Sequence, residues 1–131
     1  MFLLDTDTLV FILRGQQKVL ENFNANLQYP RAMSVISYGE LLYGALKSRR
    51  PIENAAKVRH LCNLIPLVEV SPAIIETYAA LRADLEKSGR RIDEFDLIIA
   101  SSALFISYTL VTNNERHFSN IPGLNLKNWS S

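Results

Sequence analysis

The sequence has one cysteine and no long hydrophobic run, and these scarcities limit what the protein can be. Cys62 alone cannot build an internal disulfide framework or a multi-cysteine zinc site, and it fits the reducing cytoplasm. No stretch reaches the roughly 18–20 apolar residues of a membrane span. Net charge is small, because 14 Lys and Arg face 13 Asp and Glu. We expect a cytoplasmic protein without a membrane partner, whose total charge neither indicates nor excludes nucleic acid.

The length and composition are those of an ordinary globular protein. The 131 residues suffice for one domain with a sizeable hydrophobic core. Hydrophobic residues make up 48% of the chain and charged residues 21%. There are no internal repeats, low-complexity tracts or linkers. We therefore expect a single domain over residues 1–131.

Short apolar segments alternate with segments of helical spacing. The predicted strands are 2–5, 32–36, 65–70 and 109–112, with a possible short edge strand in 123–129. The predicted helices are 6–13, 16–28, 37–49, 52–64, one that starts at Ser71 with Pro72 in its first turn, and 94–107. This alternation predicts an α/β fold, with a parallel sheet of four to five strands covered by helices on both faces.

Oxygen-bearing side chains recur where the predicted strands end. Asp5 follows the first strand, and Glu40 lies in the helix after the second. Asp96 lies near the start of the most apolar helix, and Thr112 and Asn114 follow the fourth strand. In open parallel sheets, sites form beyond the carboxyl ends of the strands. The sequence therefore predicts that these side chains meet at one edge of the sheet.

Three carboxylates in one place repel each other unless a cation neutralises them. No lysine or arginine lies within these short segments. Mg²⁺ or Mn²⁺ takes oxygen ligands and retains water, whereas few histidines and one cysteine argue against zinc. Carboxylates with Mg²⁺ typically act on phosphate esters. Asp5, Glu40 and Asp96 are thus candidate metal ligands of a phosphoester-cleaving site.

Helix capping is the alternative explanation for most of these residues. The capping candidates are Ser37 with Glu40 as a capping box, Asp93 as an N-cap with Asp96 in the first turn, Asp7 with Thr8 at the first helix, and Asn113 with Asn114 in a turn. Asp5 is the hardest to explain in this way, because it directly follows two leucines of the predicted strand.

Four segments occur in order along nearly the whole chain: "LLDTDTLVFIL", "SVISYGELLYGALKS", "IDEFDLIIASSAL" and "LVTNNERHFSNIPGLNLKNW". Together they resemble the PIN-domain ribonucleases, and most closely the VapC toxins of bacterial toxin–antitoxin pairs. The resemblance implies a three-layer α/β/α sandwich and a Mg²⁺- or Mn²⁺-dependent endoribonuclease. The substrate would be a structured RNA such as tRNA, hydrolysed by metal-activated water. The implied partners are a VapB-like antitoxin and a second copy of the chain, as a homodimer.

The resemblance also assigns residues. Asp5, Glu40 and Asp96 match the family's metal-binding acids. Asn114 stands where many relatives carry a fourth acid, which puts a second metal in doubt; we expect it to orient the metal or its water. Residues expected beside the site are Asp7, which we interpret as a helix cap near the metal, Asp93 and Thr112. Candidate contacts to the RNA backbone are Arg14, Lys47, Arg49, Arg50, Arg90, Arg91 and Arg116.

Two other readings remain open at this point. "DTDTL", residues 5–9, nearly fits the D-x-D-x-T start of haloacid-dehalogenase-type phosphatases, with Asp5 as the nucleophile, but Leu9 departs from it. Alternatively, Asn114 in place of an acid would suit a non-catalytic binding module that has kept the fold. Trapping of an aspartyl phosphate would favour the phosphatase, and failure to bind Mn²⁺ would favour the binding module.

Overall fold

A sheet of five short parallel strands forms the centre of the molecule. The computed structural model describes residues 1–131. Its strands are β1 Phe2–Leu4, β2 Arg31–Ser34, β3 Leu67–Val68, β4 Thr109–Val111 and β5 Leu126–Lys127, in the order β3-β2-β1-β4-β5. Every neighbouring pair is parallel, and Leu4 of β1 pairs with Val111 of β4. The carboxyl ends of the two central strands therefore lie level with each other.

Seven helices cover the sheet. They are α1 Thr6–Leu13, α2 Gln17–Ala25, α3 Val35–Leu46, α4 Pro51–Leu64, α5 Pro72–Lys87, α6 Glu94–Ile106 and α7 Glu115–Phe118. The end of α1 and the start of α5 follow the predicted signals. Gly15 adopts a positive φ of 74° after α1, and Ser71 caps α5 by accepting a hydrogen bond from the Ile74 amide. No helix is both long and apolar enough to cross a membrane.

Side chains of β1 alternate between two hydrophobic cores. Phe2 and Leu4 pack with buried residues of α1 to α4, whereas Leu3 packs with those of α5, α6 and α7. This alternation is the two-residue period of a strand buried on both faces. The three-layer α/β/α sandwich with a parallel sheet is thus confirmed, and β1 lies at its centre.

Several predicted boundaries were wrong. Helix α3 begins at Val35 and not at 37, because Ser34 ends β2 and caps the helix through the Ile36 amide at 3.0 Å. Strand β3 has two residues rather than six, as an edge strand that pairs on one side only. Helix α2 ends at Ala25, ahead of the predicted end at 28. Helix α7 was not predicted, because four residues are too short to show a helical period.

Candidate active site

Asp5 lies at the carboxyl end of the central strand β1 and is 5% exposed. It is also the N-cap of α1: Oδ1 accepts from the Thr6 amide at 2.9 Å, and Oδ2 accepts from Thr112 Oγ1 at 2.8 Å. Burial, and then the nearby Asp7 carboxylate, raise the pKa of Asp5 to about 7. No lysine, arginine or histidine forms an ion pair with it. Neutral hydrogen-bond donors therefore offset only part of the cost of burying this carboxylate.

Asp7 does not cap α1, contrary to prediction, because the cap position is occupied by Asp5. Asp7 lies in the first turn, and its Oδ2 accepts from the Asn113 amide at 3.1 Å and lies 3.5 Å from Thr112 Oγ1. Thr8 is buried and donates to the Val111 carbonyl at 3.1 Å. Burial raises the pKa of Asp7. Asp7 therefore joins α1 to the segment after β4, directly beside Asp5.

Glu40 lies against the start of α1, next to Thr6. The predicted Ser37–Glu40 capping box does not form, because α3 begins before Ser37 and both residues lie within the helix. Instead Thr6 Oγ1 donates to Glu40 Oε1 at 2.7 Å and lies 2.9 Å from Ser37 Oγ. Thr6, which the sequence did not single out, therefore connects Asp5 through its amide with Glu40 through its hydroxyl.

Asp96 lies in the first turn of α6, and Asp93 caps that helix by accepting from the Phe95 amide at 3.2 Å, as the capping interpretation predicted. Asp96 has a partner that was missed: His117 Nε2 lies 3.1 Å from its Oδ2. Burial raises the pKa of Asp96, and the neighbouring His117 opposes that rise. His117 lies in the unpredicted helix α7, and no pattern within one segment of the sequence indicates its contact with Asp96.

The segment after β4 completes the arrangement. Thr112 is fully buried, donates to Asp5 and accepts from the Asn114 amide at 3.0 Å. The Asn114 side chain is exposed at the start of α7 and makes no capping hydrogen bond. Both polar atoms of the Asn113 side chain are buried without a hydrogen-bond partner. Since buried polar groups are almost always paired, Asn113 indicates a site that takes water or a hydrated ion.

The donor set fits a hard divalent cation. No three His, Cys, Asp or Glu side chains converge as a ready-made metal cage. The acids are nevertheless close enough to interact, because the Asp96 charge raises the pKa of Asp5 and the Glu40 charge raises that of Asp96. Proteins usually bind Mg²⁺ through one or two carboxylates while the ion keeps several waters. Asp5, Asp96 and Glu40 suit that mode, with the Thr112 hydroxyl on Asp5 and the unpaired Asn113 side chain in the same segment after β4.

Five of the seven residues predicted to contact RNA line two surface depressions, and the other two line neither. Arg14 and Lys47 lie in a groove of about 410 Å³ between α1, α3 and α4, which Thr6 and Glu40 also line. A cleft of about 240 Å³ between the α5–α6 loop and α7 contains the three other arginines near the site, Arg90, Arg91 and Arg116. Arg49 and Arg50 line neither, and Arg50 pairs with Glu53 at 3.5 Å.

Comparison with known proteins identifies the family to which the chain belongs. The PIN domain family model matches residues 2–124. The tRNA(fMet)-specific endonuclease VapC of Shigella flexneri is 34% identical over 130 residues, 98% of each chain. A VapBC2 structure from Rickettsia felis, bound to a promoter DNA fragment, contains a chain that superposes with a TM-score of 0.92 at 32% identity, covering 98% of each chain. A DNA-bound VapBC structure from Salmonella typhimurium gives 0.91, also at 32% identity, over 98% of this chain and 97% of that one.

These matches define the class of protein first and the group within it second. The chain belongs to the PIN-domain family of nucleases and, within that family, to the VapC ribonucleases. Neither the phosphatase reading of Asp5 nor the non-catalytic module is supported by any of these relatives.

Proposed function

We propose that the protein is the toxin of a VapBC-type pair, a cytoplasmic Mg²⁺- or Mn²⁺-dependent endoribonuclease formed by one PIN domain over residues 1–131. The observation that carries this proposal is the environment of Asp5. It is a buried carboxylate at the carboxyl end of the central strand, with a pKa raised to about 7, no cationic partner, and two further acids within electrostatic range. A divalent cation would stabilise the charged form that burial disfavours.

The residues of the site hold the carboxylates in place for the reaction. The Thr6 amide and Thr112 hydroxyl orient both oxygens of Asp5, and His117 Nε2 holds one oxygen of Asp96. Asp5 and Asp96 would hold the principal metal, with Glu40 beside a second metal or the attacking water, and Asn114 would orient the metal or its water. A bound Mg²⁺ would polarise the phosphoryl oxygen and lower the pKa of a water for attack. Because the carboxylates are held before substrate arrives, little reorganisation remains for the reaction itself.

We propose tRNA as the substrate class. Support comes from relatives in Shigella flexneri and Salmonella typhimurium, which are named tRNA(fMet)-specific endonucleases and are 34% and 32% identical over nearly the whole chain.

Two protein partners belong to the same proposal. A VapB-like antitoxin is supported by the structural relatives, which are VapBC complexes, and by the α1/α3/α4 groove, whose apolar and charged lining suits a peptide segment. A homodimer is supported by exposed apolar side chains on α3 and α6. Tyr43 is 65% exposed, and with Phe95 it lines a depression that also contains Glu40 and Lys47.

The test is cleavage of total RNA by the purified protein, followed by mapping of new 5′ ends. We expect cleavage to require Mg²⁺ or Mn²⁺, to stop with EDTA, and to be lost in Asp5→Asn. Asp84→Asn, which changes an exposed aspartate of α5 outside the site, is the matched control and should retain activity. A correctly folded Asp5→Asn protein that keeps full Mg²⁺-dependent cleavage would contradict the proposal.

A further inference from the structure

The cleft between the α5–α6 loop and α7 is lined mainly by basic side chains. We call it the arginine cleft. It is lined by Arg90, Arg91, Arg116, His117 and Asn120, with two apolar side chains at its base, and contains no carboxylate. None of its three arginines forms an ion pair with an acid. Three unpaired guanidinium groups around one cavity repel each other and are suited to bidentate binding of phosphate.

In an adjoining depression, by contrast, one arginine is paired with acids. Arg82 contacts Glu86 at 3.3 Å and also pairs with Glu94, so its charge is neutralised locally. Arg90 and Arg91 also line this depression, together with Glu86 and Glu94, but neither arginine forms an ion pair. Their charges are therefore not locally neutralised in the way that the charge of Arg82 is.

The arginine cleft is connected to the candidate metal ligand Asp96 through His117. His117 lines the cleft, and its Nε2 contacts Asp96 Oδ2 at 3.1 Å. Arg116 precedes it on α7 and is exposed. The arginines of the cleft thus share their surroundings with a residue that touches a candidate metal ligand, on the side of the site where an RNA backbone could continue.

The α1/α3/α4 groove, on the Glu40 side of the site, has a different character. Its lining combines Glu40 with apolar residues, among them Val10, Leu13 and Leu41. Its cations are partly engaged: the Lys47 ammonium lies 4.7 Å from the centre of the Tyr43 ring, and Lys57 lies 4.0 Å from a Glu53 oxygen. A mixed apolar and charged surface suits a peptide better than a phosphate backbone.

We propose that the arginine cleft binds the RNA backbone next to the scissile phosphodiester, and that the α1/α3/α4 groove does not carry the RNA. This inference rests on the proposed ribonuclease function and assigns to Arg90, Arg91 and Arg116 the phosphate contacts of that same site. Because contacts to phosphate carry no base information, these arginines would supply salt-dependent affinity and register rather than sequence specificity.

The test measures RNA binding in an Asp5→Asn background by fluorescence anisotropy of a labelled initiator tRNA transcript. Arg90→Ala/Arg91→Ala and Arg116→Ala should each weaken binding, by about fourfold for every arginine removed. The slope of log affinity against log salt should become shallower by about 0.7 for each lost phosphate contact. Far-UV circular dichroism checks that these exposed substitutions leave the fold intact.

Two comparisons make the result decisive. Lys18→Ala/Arg59→Ala removes two exposed, unpaired cations outside both depressions and should leave affinity within about twofold. Arg14→Ala/Lys47→Ala should weaken binding less than the Arg90/Arg91 double variant does. The inference is overturned if the cleft variants bind like the Lys18/Arg59 control, or if the Arg14/Lys47 variant loses more affinity. If wild-type protein cleaves RNA with Mg²⁺ and the cleft variants bind RNA normally, the assignment of the arginine cleft is wrong but the proposed ribonuclease function stands. If wild-type protein cleaves no RNA, the proposed function itself is wrong.

Discussion

Replacement of Asp5 by asparagine should stabilise the metal-free protein at neutral pH. A pKa raised from the ordinary 3.8 to about 7 means that the native state keeps a proton which the unfolded chain has released. The stability that this proton contributes is fully present below pH ~4 and is lost as the pH rises to about 7. At about 1.4 kcal/mol per pH unit, the full loss is about 4 kcal/mol. Asparagine has no charge to bury and keeps an oxygen for the Thr6 amide, so the variant escapes this loss.

The measurement is urea unfolding of both proteins in EDTA at several pH values between 4.5 and 8, followed by circular dichroism. We expect the free energies of unfolding to diverge with rising pH, with Asp5→Asn ahead by about 2–4 kcal/mol at pH 8. Asp84→Asn should stay within about 0.5 kcal/mol of wild type throughout. Parallel curves for wild type and Asp5→Asn across this range would refute the assignment of an uncompensated buried charge to Asp5. Saturating Mg²⁺ should then stabilise wild type far more than the variant, because binding to the native state adds directly to its stability.

Three further outcomes test the neighbours of Asp5. Thr112→Val removes the hydroxyl that donates to Asp5 at 2.8 Å and lowers the Asp5 pKa. The pKa should therefore rise further, and the rising limb of the pH–rate profile should move to higher pH. Thr112→Ser should restore the wild-type profile, and an unchanged profile in Thr112→Val would contradict the effect of Thr112 on the Asp5 pKa. His117→Ala releases the Asp96 oxygen and should weaken Mn²⁺ binding about tenfold by calorimetry, with His117→Gln retaining part of the affinity; equal affinities would show that the contact does not position the ligand. Asn114→Asp adds a carboxylate at an exposed cap position and should raise Mn²⁺ affinity or stoichiometry, whereas no change would place Asn114 away from the metal.

Sequence patterns predicted secondary structure correctly where all the residues that determine an element lie within one segment. Ser71 and Pro72 mark the start of α5, and Asp93 caps α6, because capping depends on residues within one turn. Apolar runs of two to four residues sufficed for the central strands, since a strand buried on both faces needs no polar alternation. Edge strand β3 and helix α7 were misjudged because pairing across the sheet, and packing of Phe118 against the second core, determine them.

The predicted capping roles of Asp7 and Glu40 were wrong. Asp7 and Glu40 both had a plausible capping role within their own helices, and in the structure each accepts hydrogen bonds from a different element. Asp7 receives the Asn113 amide from beyond β4, and Glu40 receives the Thr6 hydroxyl from α1. The sequence distances are 106 and 34 residues, so no pattern within one segment could have indicated either contact.

The sequence by itself determined the α/β class, the parallel sheet and the placement of Asp5 at a strand end, because these follow from hydrophobic period and from the direction of parallel strands. Only the tertiary structure decided the electrostatics of the site. Burial of Asp5 at the end of β1, the Thr112 donor, and the contact of His117 with Asp96 all arise from packing of segments remote in sequence. A carboxylate's charge state depends on the solvent and partners that surround it in space, and those are set by the folded chain as a whole.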